Sequence, residues 1–396
     1  MGGEESGVRS NQMKMYDSFS YIPMTSNRTE AAYSDRKLAD HLQQPNFNQP
    51  GALLRTAYHG VWSMSFPNGV SPTPRLGQCY CYDSENDQMI IAYGCDSDGN
   101  CLDDVWALDF PSFKWKCICR HALSPRKGCT SILIGRKMYV YGGLCDRVFF
   151  GDLHTICIDD GSVDIISCGG DFPSPRTGSV LFSTHNSMFL WSGFDGNLQN
   201  DIHQLTFDNL LWSRFDSNYS GRPAPAFCTH KGEHFVFGSA KSNGLLKFDP
   251  VNLSLDQIEC SGTEPSPELS HAALVSADEF MFLVGGETNS EHMHIFACEV
   301  KRKWWFAFHI RPDGESLVLA DGIVNKIGLF MLPREFSAAV VYKEKTRELI
   351  SSMGSRMINP PPIFKISIGQ ALGLMHIRSD MLEIFNSDGG FLPLKK

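Results

Sequence analysis

Hydrophobic and polar positions alternate in short runs along most of the chain, and polar residues, glycine and proline separate these runs. Alternation of this kind predicts short β-strands rather than helices. Three aromatic-rich runs end in glycine and precede a polar loop, at residues 89–94, 137–143 and 188–193. After each loop an acidic residue opens a further apolar run, at Asp104, Asp152 and Asp201. The pattern therefore predicts an all-β molecule of many short strands.

The series of runs repeats about every fifty residues. Pro-Arg segments open three of the repeats, and Arg126 lies 51 residues after Arg75 and 50 residues before Arg176. Three more degenerate units follow, the last of them opened by Pro333 and Arg334. A single sheet of this size cannot bury both faces, so stacking against neighbouring sheets is expected to bury them. The repeats thus predict six mutually dependent sheets.

Three kinds of motif recur in the repeats and are specific enough to suggest a family. They are the double glycines Gly142-Gly143 and Gly285-Gly286, the spaced tryptophans and the Pro-Arg repeats. With these motifs the chain resembles the kelch-repeat family over roughly residues 57–367. The resemblance implies a six-bladed kelch-type β-propeller, whose closed ring protects the sheet edges. Tryptophan at a repeated strand position is expected to pack between blades.

The chain divides into three parts on these grounds. Residues 1–55 are polar, without period, and are expected to form a disordered tail. Residues 56–367 are the expected propeller, with the run from Val61 to Phe66 completing the sixth blade and an insertion at 311–333. Residues 368–396 are the expected C-terminal helical tail. Its apolar face, with Ile368, Ala371, Leu372, Met375 and Leu382, either docks on the propeller or recruits a partner helix.

Charge and targeting signals limit the partners and cellular locations that fit the chain. The net charge of −9 and the absence of any basic run argue against nucleic acid as a partner. No run approaches the roughly 20 apolar residues of a membrane span. A weak N-myristoylation pattern begins at Gly2. The 13 cysteines are scattered without a Cys-x-x-Cys pair, which predicts buried, reduced thiols in a cytoplasmic protein.

No catalytic motif stands out. There is no glycine-rich phosphate loop, no His-Glu-x-x-His and no nucleophile elbow. His292 and His294 are either metal ligands on one strand face or ordinary strand residues. We expect no cofactor and no catalysis, and a scaffold that binds a peptide or folded protein partner. The alternative is a metal-dependent propeller enzyme with its site at the central channel, as in some kelch-like enzymes.

The candidate partner-binding residues fall into two groups. The resemblance implies binding on the ring face that carries the loops after the second strands and before the first. The arginines of the Pro-Arg segments could ring the channel mouth there and capture carboxylate or phosphate groups, or each could brace its own turn; they are Arg75, Arg126, Arg176 and Arg334. Loop residues of units two, three and six could contact a partner or cover a blade edge; they are Arg147, Phe149, Phe150, Phe194 and Arg356.

Overall fold

A computed structural model describes residues 58–241, 244–287, 293, 295–312, 332, 334–369, 371–373 and 375. Within these residues 24 of the 28 strands form six four-stranded antiparallel blades, and the innermost strands contact one another in a closed ring. The predicted all-β, six-bladed propeller is confirmed. The tail of residues 1–55 lies outside the described residues.

The first three blades follow one another along the chain. Blade one contains β2 (Cys79–Asp83), β3 (Gln88–Ala92), β4 (Val105–Asp109) and β5 (Lys114–Cys119). Blade two contains β6 (Thr130–Ile134), β7 (Lys137–Tyr141), β10 (Leu153–Cys157) and β11 (Val163–Ile165). Its second and third strands are separated by a small hairpin of β8 (Leu144–Cys145) and β9 (Val148–Phe149). Blade three contains β13 (Val180–Ser183), β14 (Ser187–Trp191), β15 (Ile202–Thr206) and β16 (Leu211–Phe215), with β12 (Gly169–Gly170) added parallel to β16.

The remaining blades complete the ring. Blade four contains β17 (Ala226–His230), β18 (Glu233–Phe237), β19 (Leu245–Asp249) and β20 (Ser254–Gln257). Blade five contains β22 (Ala273–Ala277), β23 (Phe280–Val284), β24 (Ile295–Glu299) and β25 (Trp304–Pro312), with β21 (Ser261–Gly262) parallel to β25. Blade six contains β26 (Ala339–Lys343), β27 (Glu348–Ser352), β28 (Ile363–Ser367) and β1 (Tyr58–Ser65).

The fourth strand of blade six therefore comes from the beginning of the propeller sequence. Strand β1 pairs antiparallel with β28, from Val61 opposite Ser367 to Ser65 opposite Ile363. Its first half also pairs parallel with the long strand β25, which joins blades five and six into one continuous sheet. Arg311 and Pro312, from the stretch predicted to be an insertion, are the last residues of β25. Apart from buried Leu332, residues 313–333 lie outside the described residues.

The hydrophobic core lies between the blades. Six clusters of buried apolar side chains are each shared by two neighbouring blades, including one between blades one and six. The fourth-strand tryptophans each enter the cluster shared with the preceding blade, as predicted; they are Trp62, Trp115, Trp212 and Trp305. In blade five this position belongs to Trp305, opposite Cys298, rather than to the neighbouring Trp304.

Backbone hydrogen bonds tie neighbouring blades together on one face of the ring, except between blades three and four, where the Ser192 hydroxyl bonds to the Arg222 backbone. The amide of Gly143 donates to the carbonyl of Arg176 at 2.9 Å, and the amide of Gly354 closes the ring to the carbonyl of Arg75 at 3.1 Å. Gly142, with a φ of +70°, also lies against the Arg176 carbonyl, where a Cβ atom would overlap the oxygen. The double glycine thus allows the next blade's backbone to approach.

A short helix follows the last strand. The described residues between 369 and 375 are helical, and Ala371, Leu372 and Met375 are buried with Ile368 in the cluster between blades five and six. These contacts favour docking on the propeller over recruitment of a partner helix. Leu382 and the rest of the tail lie outside the described residues.

Candidate loop-face binding site

The loops after the second strands and the segments before the first strands share one face of the ring. Single β-bridges join them in the first three blades, between Leu76 and Cys95, Lys127 and Leu144, and Thr177 and Phe194. We call this surface the loop face. All the sequence-predicted binding residues belong to its loops or to the segments beneath them.

The three arginines Arg75, Arg126 and Arg176 lie beneath this face and are 0 to 2% exposed. Each forms an ion pair with the aspartate that opens the third strand, at N–O distances of 2.6 to 2.7 Å; the aspartates are Asp104, Asp152 and Asp201. Each also donates to a main-chain carbonyl just after the second strand. The expectation that these arginines ring the channel mouth for a partner is therefore wrong, because their guanidinium groups are buried and already paired. Their contacts match the bracing alternative.

The aspartates of these pairs have a second polar neighbour two residues further along the strand. The Trp106 indole donates to Asp104 at 2.7 Å, while His154 and His203 contact Asp152 and Asp201 at 2.9 and 3.0 Å. Burial opposes ionisation of Asp152, but hydrogen bonds from His154 and Arg126 outweigh it and lower its pKa to about 2. The carboxylates are therefore charged at neutral pH and fully engaged inside the blades.

The degenerate blades fill the arginine position differently. In every blade a residue with positive φ lies two positions after the arginine position. These residues are Gly77, Gly128, Gly178, Ala224, His271 and Ser337. The position itself is therefore occupied by Arg222 in blade four, Leu269 in blade five and Glu335 in blade six. Arg222 donates to the carbonyls of Gly238 and Gly244 at 3.2 and 2.6 Å. Arg334 is only partly buried and lies one residue before the repeated position, so its assignment to the arginine series is wrong by one residue.

Glu335 is a buried carboxyl group that sequence reasoning missed. Burial raises its pKa to about 8, although Arg356 and the amides of Ser355 and Arg356 favour the charged form. Its Oε2 atom has no hydrogen-bond partner among the residues that the structure describes. Glu335 and Arg356 line a small cavity together with Pro74, Met357 and Pro361. Arg356 is therefore partly buried against blade six, beside a neutral or weakly ionised acid.

The hairpin of blade two holds the most exposed of the predicted residues. Asp146 and Arg147 form its tip with φ values of 46° and 67°, and Arg147 is exposed. Val148 beside it is 59% exposed. Such exposure of an apolar side chain next to an arginine provides a surface that can contact another molecule.

The aromatic residues below the tip support it. The Phe149 ring packs edge-to-face against the buried Phe194 ring, with centroids 6.0 Å apart. Phe150 lies under the Arg126 guanidinium, whose central carbon is 4.1 Å from the ring centroid. Phe149 and Phe150 are half-buried, and the buried side of each ring holds the hairpin against the blade. Phe194 is buried and is not itself a surface residue.

A family model described as the KLHDC2/KLHL20/DRC7 Kelch-repeats domain matches residues 52–239. This match covers the closing strand, the first three blades and the first two strands of the fourth. Over these residues the β-propeller contains kelch repeats. Kelch propellers generally mediate protein–protein interactions.

Several known proteins resemble this kelch propeller at low identity. The flagellar outer-arm dynein alpha chain of Chlamydomonas reinhardtii is 26% identical over 42% of this chain and 4% of its own length. Host cell factor of Drosophila melanogaster is 27% identical over 35% of this chain and 11% of its own length. Kelch domain-containing protein 10 of Rattus norvegicus is 22% identical over 46% of this chain and 50% of its own length. The chain thus spans half or less of these relatives.

The described part of the kelch propeller contains no group of three or more His, Cys, Asp or Glu side chains arranged to hold a metal ion. His292 and His294, considered above as metal ligands, lie outside the described residues. No helix among the described residues is long and apolar enough to cross a membrane.

Proposed function

We propose that this kelch propeller is a non-catalytic scaffold that binds a protein partner through its loop face, with the β8–β9 hairpin as the main contact. The observation that carries the proposal is the hairpin itself. The hairpin is inserted between the second and third strands of blade two and is not part of any of the six blades. It presents Arg147 and Val148 to solvent. Interface hot spots favour such combinations of arginine with apolar and aromatic groups.

The surrounding contacts explain why the hairpin can act as a recognition element. Phe149 and Phe150 anchor it to Phe194 and Arg126, so the tip is held in place before a partner arrives. A preorganised contact loses less conformational entropy on binding. The chemistry of the tip suits a partner segment with an acidic group opposite Arg147 and an apolar group opposite Val148. We further propose a cytoplasmic location, where thirteen free thiols remain reduced.

The test compares two surfaces of the same propeller. The double variant Arg147→Glu/Val148→Asp changes the hairpin tip without removing the phenylalanines beneath it. Val251→Asp is the control, because Val251 is 86% exposed in the turn between β19 and β20, on the opposite face. Proximity labelling in the native cell identifies partners, and a pull-down with each variant then measures their recovery.

We expect the hairpin variant to reduce recovery of the specific partner at least about 10-fold, since loss of an interface hot spot costs more than about 1.4 kcal/mol. The Val251→Asp propeller should recover it like the original protein. Identical partner recovery by all three proteins would show that the hairpin is not the contact surface.

A further inference from the structure

Among the residues that the structure describes, cysteine side chains lie beside each other at three places. The neighbouring pairs are Cys79 with Cys129, Cys260 with Cys298, and Cys101 with Cys145. All thirteen cysteines are free thiols, and eight of them are only partly buried, so the expectation of buried thiols is wrong for those eight. Cys79, Cys129 and Cys298 are buried. The Cys101–Cys145 pair differs from the other two because both of its members are partly exposed.

This pair spans the boundary between two blades on the loop face. Cys101 belongs to the loop after β3 in blade one, and Cys145 is the last residue of β8 in the blade-two hairpin. The Cys101 thiol also contacts the Leu144 carbonyl, with the sulfur 3.7 Å from the oxygen. Both backbones are held by bridges, Cys101 to Cys95 and Leu144 to Lys127. The fold therefore holds the Cys101 sulfur against the peptide group that joins Leu144 to Cys145.

The surroundings of Cys101 favour its protonated form. Burial raises the pKa of the Cys101 thiol, and the neighbouring Cys145 side chain raises it further. Cys101 thus keeps its proton, which it donates to the Leu144 carbonyl. The nearby Lys127 ammonium acts in the opposite sense and favours negative charge at this place. A thiolate, not a thiol, is the nucleophile in thiol oxidation.

We propose that Cys101 and Cys145 are a peroxide-oxidisable thiol pair, in which Cys145 attacks the oxidant and Cys101 resolves the product into a disulfide. The Cys145 thiolate attacks one oxygen of hydrogen peroxide, the O–O bond breaks, and the leaving hydroxide is protonated to water. The Cys101 sulfur then attacks the resulting sulfenic acid, the S–O bond breaks, and the Cys101 proton leaves with the hydroxide as a second water. Two thiols are oxidised by two electrons while one peroxide is reduced.

The disulfide would tie the β8–β9 hairpin to the loop of blade one. It would therefore change the freedom of the segment that carries Arg147 and Val148. The existence of the thiol pair does not depend on the proposed partner binding, because its test is chemical and requires no partner.

The experiment uses the full chain in its reduced form. Samples of the protein are treated with increasing amounts of hydrogen peroxide, from less than one equivalent to several equivalents. The remaining thiols are then alkylated, and the peptides are mapped by mass spectrometry. We expect a linked Cys101–Cys145 peptide, two hydrogens lighter than the separate thiols. Cys79 and Cys129 are the internal comparison, since their side chains also lie beside each other but are buried. They should stay reduced at doses that link the exposed pair.

Single variants separate the two roles. In Cys101→Ser, Cys145 should stop at the sulfenic acid and become labelled by a dione reagent, at least about five times more than in the original protein. In Cys145→Ser, Cys101 should stay reduced. Cys157→Ser, at a partly exposed cysteine of β10, is the control and should leave the Cys101–Cys145 link unchanged. Circular dichroism verifies that each variant is folded.

Two results would overturn the proposal. One is a folded protein in which other cysteines oxidise while no Cys101–Cys145 link appears. The other is a link that appears only together with a Cys79–Cys129 link, because unfolding would then be the cause of both.

Discussion

At the scale of single residues, the arginines of the Pro-Arg segments hold each blade together from within. Arg176 donates to the Asp201 carboxylate and to the Ser192 carbonyl, and thus joins the first strand, the turn after the second and the start of the third. Arg147 is the contrasting case, because it is exposed at a hairpin tip. The same residue type therefore serves two purposes, and burial distinguishes them.

Arg176→Ala should destabilise the propeller by about 3–5 kcal/mol, because it leaves the buried Asp201 carboxylate without its main cationic partner. Arg147→Ala is the matched control and should change the free energy of unfolding by less than about 0.5 kcal/mol. Chemical denaturation of both variants measures the difference. Equal stabilities would contradict the bracing role of Arg176.

At the scale of strands and turns, positive backbone φ angles decide where blades can approach one another. Gly142 follows β7 at a φ of +70°, and the Arg176 carbonyl of the next blade occupies the space where a side chain would begin. Gly135, in the turn between β6 and β7, has a φ of +58° but open space around it. The two glycines share a backbone conformation and differ in their neighbours.

Gly135→Ala should cost about 1–2 kcal/mol, which is the backbone penalty of a left-handed alanine. Gly142→Ala should cost at least about 2 kcal/mol more, because the new Cβ must displace the neighbouring blade. Thermal and chemical denaturation of the two variants give the comparison. If Gly142→Ala is no more harmful than Gly135→Ala, close approach of the blades is not what requires glycine there.

At the scale of the whole molecule, stability belongs to the ring rather than to any one blade. Each hydrophobic cluster is shared by two blades, and β1 brings Trp62 from the other end of the propeller sequence into the cluster between blades five and six. The Trp62 ring packs edge-to-face on Phe364, with centroids 6.2 Å apart. Loss of this contact weakens the closure of the ring, and so affects every blade.

Trp62→Ala should lower the free energy of unfolding by about 3–5 kcal/mol. Because the blades depend on each other, unfolding should remain a single transition, with fluorescence and circular dichroism curves that coincide. Val70→Ala, at an exposed position after the same strand, should have little effect. A separate early transition confined to part of the signal would mean that blade six opens on its own.

The limits of sequence reasoning appear at particular residues. The Pro-Arg period predicted the positions of Arg75, Arg126 and Arg176, yet in blade six it selected Arg334 where the structure has Glu335. Arg222 was missed because proline follows it instead of preceding it. In blades four to six the positive-φ positions after the repeated residue hold Ala224, His271 and Ser337 instead of glycine. Without glycine as a marker, the register of a degenerate repeat cannot be read from the chain.

The sequence by itself determined the architecture, because periodic apolar strands and recurrent glycine–tryptophan signals are local properties that repeat in one order. It also indicated that Val61 to Phe66 was a strand in need of a partner. Only the tertiary structure decided which side chains remain available to another molecule. Burial depends on which residues of other strands, in the same blade or in the next, lie over each side chain. The aspartates pair with the arginines inside one blade, and the two cysteines meet across a blade boundary.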